Sequence, residues 1–144
     1  MEIRRIREPE LPAAMDLCWW VFLEFEAPDY PPEGMEAFYT YISNTEQVKR
    51  LTVFGAWENR NLLGVLAGAG SHIALFFVDP AVHRQGIGRK LFQAYLAEDH
   101  RDQVTVHSSP YAVEVYRRLG FSPASEEQLS SDGIRYTPML WERK

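Results

Sequence analysis

Residues Val78 to Tyr95 read V-D-P-A-V-H-R-Q-G-I-G-R-K-L-F-Q-A-Y. An apolar run stops at Asp79-Pro80, a short polar loop follows, Gly86 and Gly88 bracket Ile87, and a helical pattern opens with Arg89 and Lys90. This predicts a strand, a glycine-rich turn and a helix N-terminus. Such an end offers N–H groups without intrahelical partners, together with the positive end of the helix dipole, and so suits an anion. Glycine lets the backbone close on a ligand where a Cβ would stand in the way. Two other phosphate loops are excluded by spacing. The G-x-x-x-x-G-K-[ST] pattern is not met, and a dinucleotide turn needs a third glycine where this chain has Leu91.

The segment resembles the acetyl-CoA loop of the GCN5-related N-acetyltransferases (GNAT), [QR]-x-x-G-x-[GA], with His83, Arg84, Gln85, Gly86, Ile87 and Gly88 at its six positions. His83 departs from the pattern. A histidine still hydrogen-bonds a phosphate but is only partly charged near neutral pH, so this departure implies cofactor affinity that falls as pH rises. Arg84, Arg89 and Lys90 supply further charge. A second segment, A-V-E-V-Y-R-R-L-G-F from Ala112 to Phe121, is similar to the same family's A-x-x-[FV]-Y-x-x-x-G-F signature, and the two stand in family order and spacing.

Working outward, 144 residues with 46% hydrophobic and 13% aromatic content suit one domain, 1–144, with a sizeable core. A net charge of −5 argues against general nucleic-acid binding. No apolar stretch approaches the length of about 18 residues that a membrane helix needs. No basic leader precedes an apolar region, and Cys18 is the single cysteine, so a cytoplasmic enzyme without disulfides is expected. Cys18 lies among apolar residues and reads as core. The histidines at 72, 83, 100 and 107 lack metal-ligand spacing, and no metal is expected.

Periodicity predicts a strand at Ile3 to Arg7, a helix from Glu10 to Phe25 and another from Met35 to Ile42, with Pro28, Pro31 and Pro32 between them. Strands follow at Leu51 to Trp57 and Leu62 to Ala67 around the polar turn Glu58-Asn59-Arg60-Asn61. His72 to Val78 is almost wholly apolar, as in a strand covered on both faces. A helix from Gly86 to about Glu98, a strand from Val104 to Val106, a helix from Pro110 to Leu119, and strands at Phe121 and Ile134 to Trp141 complete an α/β domain on a mixed sheet. The resemblance implies more: a mostly antiparallel sheet with helices on both faces, strands four and five splaying apart, and the pantetheine arm of acetyl-CoA in the gap. There it would take hydrogen bonds from unpaired backbone groups of Phe77 and Val78.

Acetyl transfer from a thioester to an amine needs a neutral amine, a polarised carbonyl and a proton for the departing thiolate. An alkyl ammonium titrates near roughly 10.4 and a thiol near roughly 8.5, so a proton acceptor and a donor are both useful. The resemblance places Tyr116 at the donor, although Tyr116 also falls on the apolar stripe of its helix. Ser109 stands where many relatives carry Asn, and either contacts the cofactor or caps the helix that Pro110 begins.

Glu24, Glu26 and Asp29 lie in the segment that borders the acceptor in this family, and each is a candidate base, Glu26 foremost. With Tyr30 and Glu33 they form an acidic, aromatic stretch, V-F-L-E-F-E-A-P-D-Y-P-P-E-G-M, that would attract a cationic amine. Phe22, Phe25, Tyr30 and Tyr39 are candidates for an apolar wall. The partners implied are acetyl-CoA and an amine acceptor, a small molecule or a peptide. The late strands are a candidate homodimer surface. A non-catalytic acyl-CoA-binding module is the alternative function, and a structural or interaction domain with a degenerate loop a third.

Overall fold

The computed structural model describes residues 1–99 and 101–144, so His100 lies outside the described residues. The chain runs β1 (Glu2–Arg5), α1 (Leu11–Phe25), α2 (Pro32–Ser43), α3 (Thr45–Val48), β2 (Thr52–Glu58), β3 (Asn61–Ala69), β4 (His72–Val78), α4 (Ile87–Asp99), β5 (Gln103–Ser108), α5 (Val113–Arg118), β6 (Ser122–Pro123), β7 (Gln128–Leu129) and β8 (Arg135–Glu142). The sheet order is β1-β2-β3-β4-β5-β8-β6, with β7 on β8. All pairs are antiparallel except β4 with β5.

Most expected elements stand where the periodicity put them. α2 begins a turn earlier than expected because Pro32 occupies its first position, where a missing N–H costs nothing. Asn44 caps the unforeseen α3, its side chain accepting from the Gln47 N–H. Phe121 is buried just ahead of β6 rather than within a strand. The polar stretch from Ser122 to Gly133, which separates the last two expected strands, contains β6 and β7.

Two apolar clusters sandwich the sheet. Leu75 and Phe77 face one cluster, with Met15, Cys18, Val21 and Phe22 of α1, while Ile73 faces the other, with Leu91, Phe92 and Tyr95 of α4. Cys18 is fully buried, as its apolar setting suggested. Pairing in register opposes Ala67 to Leu75 and Gly68 to Ile73, which leaves Ala74 without a partner on β3. This bulge bends β4. Beyond it the β4–β5 pairing ends, since only His72 with Thr105 and Ile73 with Val106 are paired. Gly68 is required beside the bulge, because a Cβ there would meet the Tyr95 hydroxyl and would sit 2.7 Å from the His72 carbonyl oxygen. The splay implied by the family resemblance therefore begins at Ala74.

Candidate active site

The open end of the splay is a cavity of about 410 Å³, walled by the end of β4, the loop before α4, the C-terminus of α1, and α5 with its approach. The loop is built by local rules. Asp79 Oδ1 accepts from the Ala81 N–H at 2.9 Å and closes a turn over Pro80–Val82. Arg84 (φ 68°) and Gly86 (φ 80°) then lie in the left-handed region, so the chain curls twice before α4. Lys90 N–H to the Gly86 carbonyl, 3.1 Å, is the first helical hydrogen bond there. Among the described residues no hydrogen bond uses the N–H groups of Arg84 through Arg89. Unpaired donors at a helix start, lined also by Arg84, Arg89 and Arg118, suit a pyrophosphate. Gln85 is exposed and does not line the cavity.

Strand alternation decides which β4 amides face the gap. Asp79 N–H bonds the Leu63 carbonyl of β3 at 2.8 Å, so Phe77, two residues earlier, also points its amide at β3. Phe76 and Val78 are the residues whose backbone groups face the gap. Phe77 still lines the cavity with its neighbours, but it is the backbone of Phe76, not of Phe77, that faces the gap. His83 Nε2 donates to the Val78 carbonyl at 2.7 Å, and its ring lies 5.6 Å from that of Phe25. The imidazole therefore braces the end of β4 through one nitrogen.

Tyr116 is buried, with its ring edge-to-face on Phe76 (5.9 Å) and Phe121 (5.3 Å). It is thus a core residue by packing. Its hydroxyl has no hydrogen-bond partner among the described residues, yet it is not sealed away: Trp57 Nε1 is the one fully enclosed side-chain polar atom among them that lacks a partner. A tyrosine that served only the core would pair its hydroxyl. This one lines the cavity. Burial pushes its acidity down, and the charge of Glu26 adds to the effect, so the phenol keeps its proton.

Glu26 caps the C-terminus of α1, its N–H bonded to the Phe22 carbonyl at 2.9 Å, and lines the same cavity. Burial pushes its carboxyl up to about 7, the Ser109 hydroxyl opposes the shift, and Asp29 adds to it. Ser109 is buried and does not line the cavity. Its Oγ accepts from the Ala112 N–H at 3.3 Å and closes the turn ahead of α5, whose N-cap is Ala112, so Ser109 does not cap the helix as expected.

The other acceptor-side candidates fall elsewhere. Glu24 and Glu33 are exposed and outside the cavity lining. Asp29 pairs with Arg135 of β8 at 3.8 Å. Tyr30 packs edge-to-face on Phe22 at 4.9 Å, and burial followed by the charges of Glu26 and Asp29 raises its hydroxyl. Tyr39 lines a separate groove between α1 and α2 with Trp19. Of the proposed aromatic wall only Phe25 reaches the cavity, where it stacks on Tyr111 at 5.2 Å. Tyr111, Val115 and Arg118 were not anticipated. Their i, i+4, i+7 spacing, running from the turn before α5 into that helix, was the available signal.

No group of three or more His, Cys, Asp or Glu side chains among the described residues is placed to hold a metal. His72 and His107 do meet, with ring centroids 5.0 Å apart. No helix among the described residues is long and apolar enough to cross a membrane.

The family model described as an acetyltransferase (GNAT) domain matches residues 26–143. The chain belongs to the GNAT acetyltransferase family. Solved GNAT structures superpose over nearly the whole chain. A GCN5-related N-acetyltransferase from Rhodopseudomonas palustris matches with TM-score 0.84 and 18% identity, covering 99% of this chain and 95% of that one. The PaiA N-acetyltransferase of Thermoplasma acidophilum, solved with coenzyme A, gives 0.75 and 16%, covering 99% and 98%. The apo form of YjaB from Escherichia coli gives 0.74 and 20%, covering 96% and 94%. At these identities the likeness is one of fold. No curated protein matches the chain. As a GNAT domain the protein is an N-acetyltransferase that draws its acetyl group from acetyl-CoA.

Proposed function

We propose that this GNAT domain acetylates a primary amine, with Glu26 as proton acceptor and Tyr116 as proton donor. The observation that carries the reading is that one cavity is lined at once by the donor-rich loop, by Glu26 of the α1 terminus and by Tyr116 of α5. The pyrophosphate of acetyl-CoA would lie on the N–H groups of Arg84 to Gly88, and its pantetheine arm along Phe76 and Val78.

The acceptor arrives as an ammonium and loses a proton to Glu26. The nitrogen lone pair then attacks the thioester carbonyl carbon, the C–N bond forms, and the C–S bond breaks with its electrons passing to sulfur. Tyr116 protonates the sulfur, and the proton still on the acylated nitrogen returns to the tyrosinate. The products are the amide and free CoA thiol, with one proton released through Glu26. A phenol with a raised pKa can still donate, because the same desolvation raises the basicity of the departing thiolate.

Thiol release with a panel of primary amines tests the reading. Turnover that falls with Tyr116→Phe and with Glu26→Gln, while acetyl-CoA binding persists, supports it. Acetyl-CoA binding without transfer to any amine would instead indicate a binding module.

A further inference from the structure

We infer that the acceptor is a small primary monoamine carrying an apolar, ring-sized group, held against the Phe25–Tyr111 pair. The inference rests on the amine-acetylating function proposed above and names its substrate class. Once the loop, β4 and the inner turn of α5 are given to acetyl-CoA, the acceptor is left Val21, Phe25, Glu26 and Tyr111. Phe25 lies between His83 and Tyr111, at 5.6 and 5.2 Å, and the Phe25 and Tyr111 rings are only 29° from parallel. Tyr111 is 43% exposed, so one of its faces is free for a ligand. Two aromatic rings beside a desolvated carboxylate can receive one ammonium and the hydrocarbon next to it.

Charge excludes the alternatives. Glu26 is the one carboxylate among the residues that line the cavity, whereas three guanidiniums, Arg84, Arg89 and Arg118, line it too. A polyamine would bring a second ammonium into apolar wall or toward those cations, with no carboxylate to meet it. An amino sugar would give up the hydration of several hydroxyls against side chains that offer them few partners. The acidic stretch around residues 24 to 33 does not change this balance, because its other carboxylates point elsewhere or pair with Arg135.

The test compares kcat/KM by CoA-thiol release at saturating acetyl-CoA for 2-phenylethylamine, 1,4-diaminobutane, spermidine and glucosamine. The expected result is 2-phenylethylamine favoured over each of the others by about tenfold or more, the discrimination an apolar contact of this size provides. Tyr111→Ala is expected to raise KM for 2-phenylethylamine by about tenfold with kcat little altered, since it removes contact made alike in ground and transition states. Tyr111→Phe keeps the ring and is expected to keep the selectivity. Preference for spermidine or glucosamine, or an unaltered KM in Tyr111→Ala, overturns the inference and leaves acetyl transfer standing. If no amine reacts although acetyl-CoA binds in calorimetry, the catalytic reading falls and takes the inference with it.

Discussion

The two halves of the cavity are made of different material. The half proposed for the acetyl donor is main chain: N–H groups from Arg84 to Arg89 that have no partner among the described residues, and the gap-facing edge of β4 past Ala74. The half proposed for the acceptor is side chain: Glu26, Tyr116, Phe25 and Tyr111, brought in by α1, α5 and the approach to α5. Backbone donors bind any pyrophosphate-bearing ligand alike and tolerate exchange of neighbouring side chains. Side chains in a desolvated pocket set acidity and selectivity, and each can be deleted on its own. Single substitutions on the acceptor half should therefore act on turnover, and those on the donor half on binding.

The sharpest test of this contrast is Tyr116→Phe, which keeps the ring packed on Phe76 and Phe121 and deletes the hydroxyl proposed as proton donor. Turnover is expected to fall by about a hundredfold or more with acetyl-CoA affinity nearly unchanged. A loss of only a few-fold would return Tyr116 to the core.

Glu26→Gln is expected to lower kcat/KM by about tenfold or more and to change its pH profile. A carboxyl raised to about 7 is a base only when ionised, so parent activity should rise with pH through that region. The variant should lose this step and keep only the rise caused by deprotonation of the amine itself. Stability moves the opposite way. The folded state holds the Glu26 proton more tightly than the unfolded chain, so this stabilisation is complete at acid pH, below the unfolded carboxylate's pKa, and is lost as pH rises through about 7. The melting temperature of Glu26→Gln should therefore gain on the parent with increasing pH. Parallel melting curves across that range would contradict the burial of Glu26.

On the donor half, Gly86→Val is expected to weaken acetyl-CoA binding by about tenfold while the fold survives in circular dichroism. Its φ of 80° disfavours a β-branched residue, whereas a Cβ there meets no heavy atom within 4 Å. The penalty thus falls on the loop's shape rather than on packing, and unchanged affinity in calorimetry would displace the phosphate site. The smallest effect is expected for Asp29→Asn, a change in KM for cationic amines within about twofold, since an exposed pair with Arg135 contributes little. A large salt-sensitive rise in KM would restore the acidic stretch as a steering surface.

The donor half was legible because its information is local. The strand, the turn and the helix start lie within the single stretch Val78 to Tyr95, and backbone donors follow from the turn itself. That the backbone of Phe76, rather than that of Phe77, faces the gap was not legible. Leu75 to Val78 are all apolar, so the period of two that tells one strand face from the other is invisible, and the Ala74 bulge that sets its phase leaves no trace in composition. Among Glu24, Glu26 and Asp29 the sequence put Glu26 foremost, but no local feature separates the three carboxylates. The end of α1 and the Ala27–Asp29 turn send Glu26 inward and Asp29 toward β8.

By itself, the sequence determined the class of fold, the glycine-rich turn between a strand and a helix start, the family and the donor substrate, because hydrophobic period, glycine placement and helix starts are properties of neighbouring residues. Only the tertiary structure decided which carboxylate is desolvated, that Tyr116 lines the same cavity, and that Phe25 meets Tyr111. Burial and electrostatics depend on residues far apart in the chain, and those become neighbours only when the helices close over the sheet.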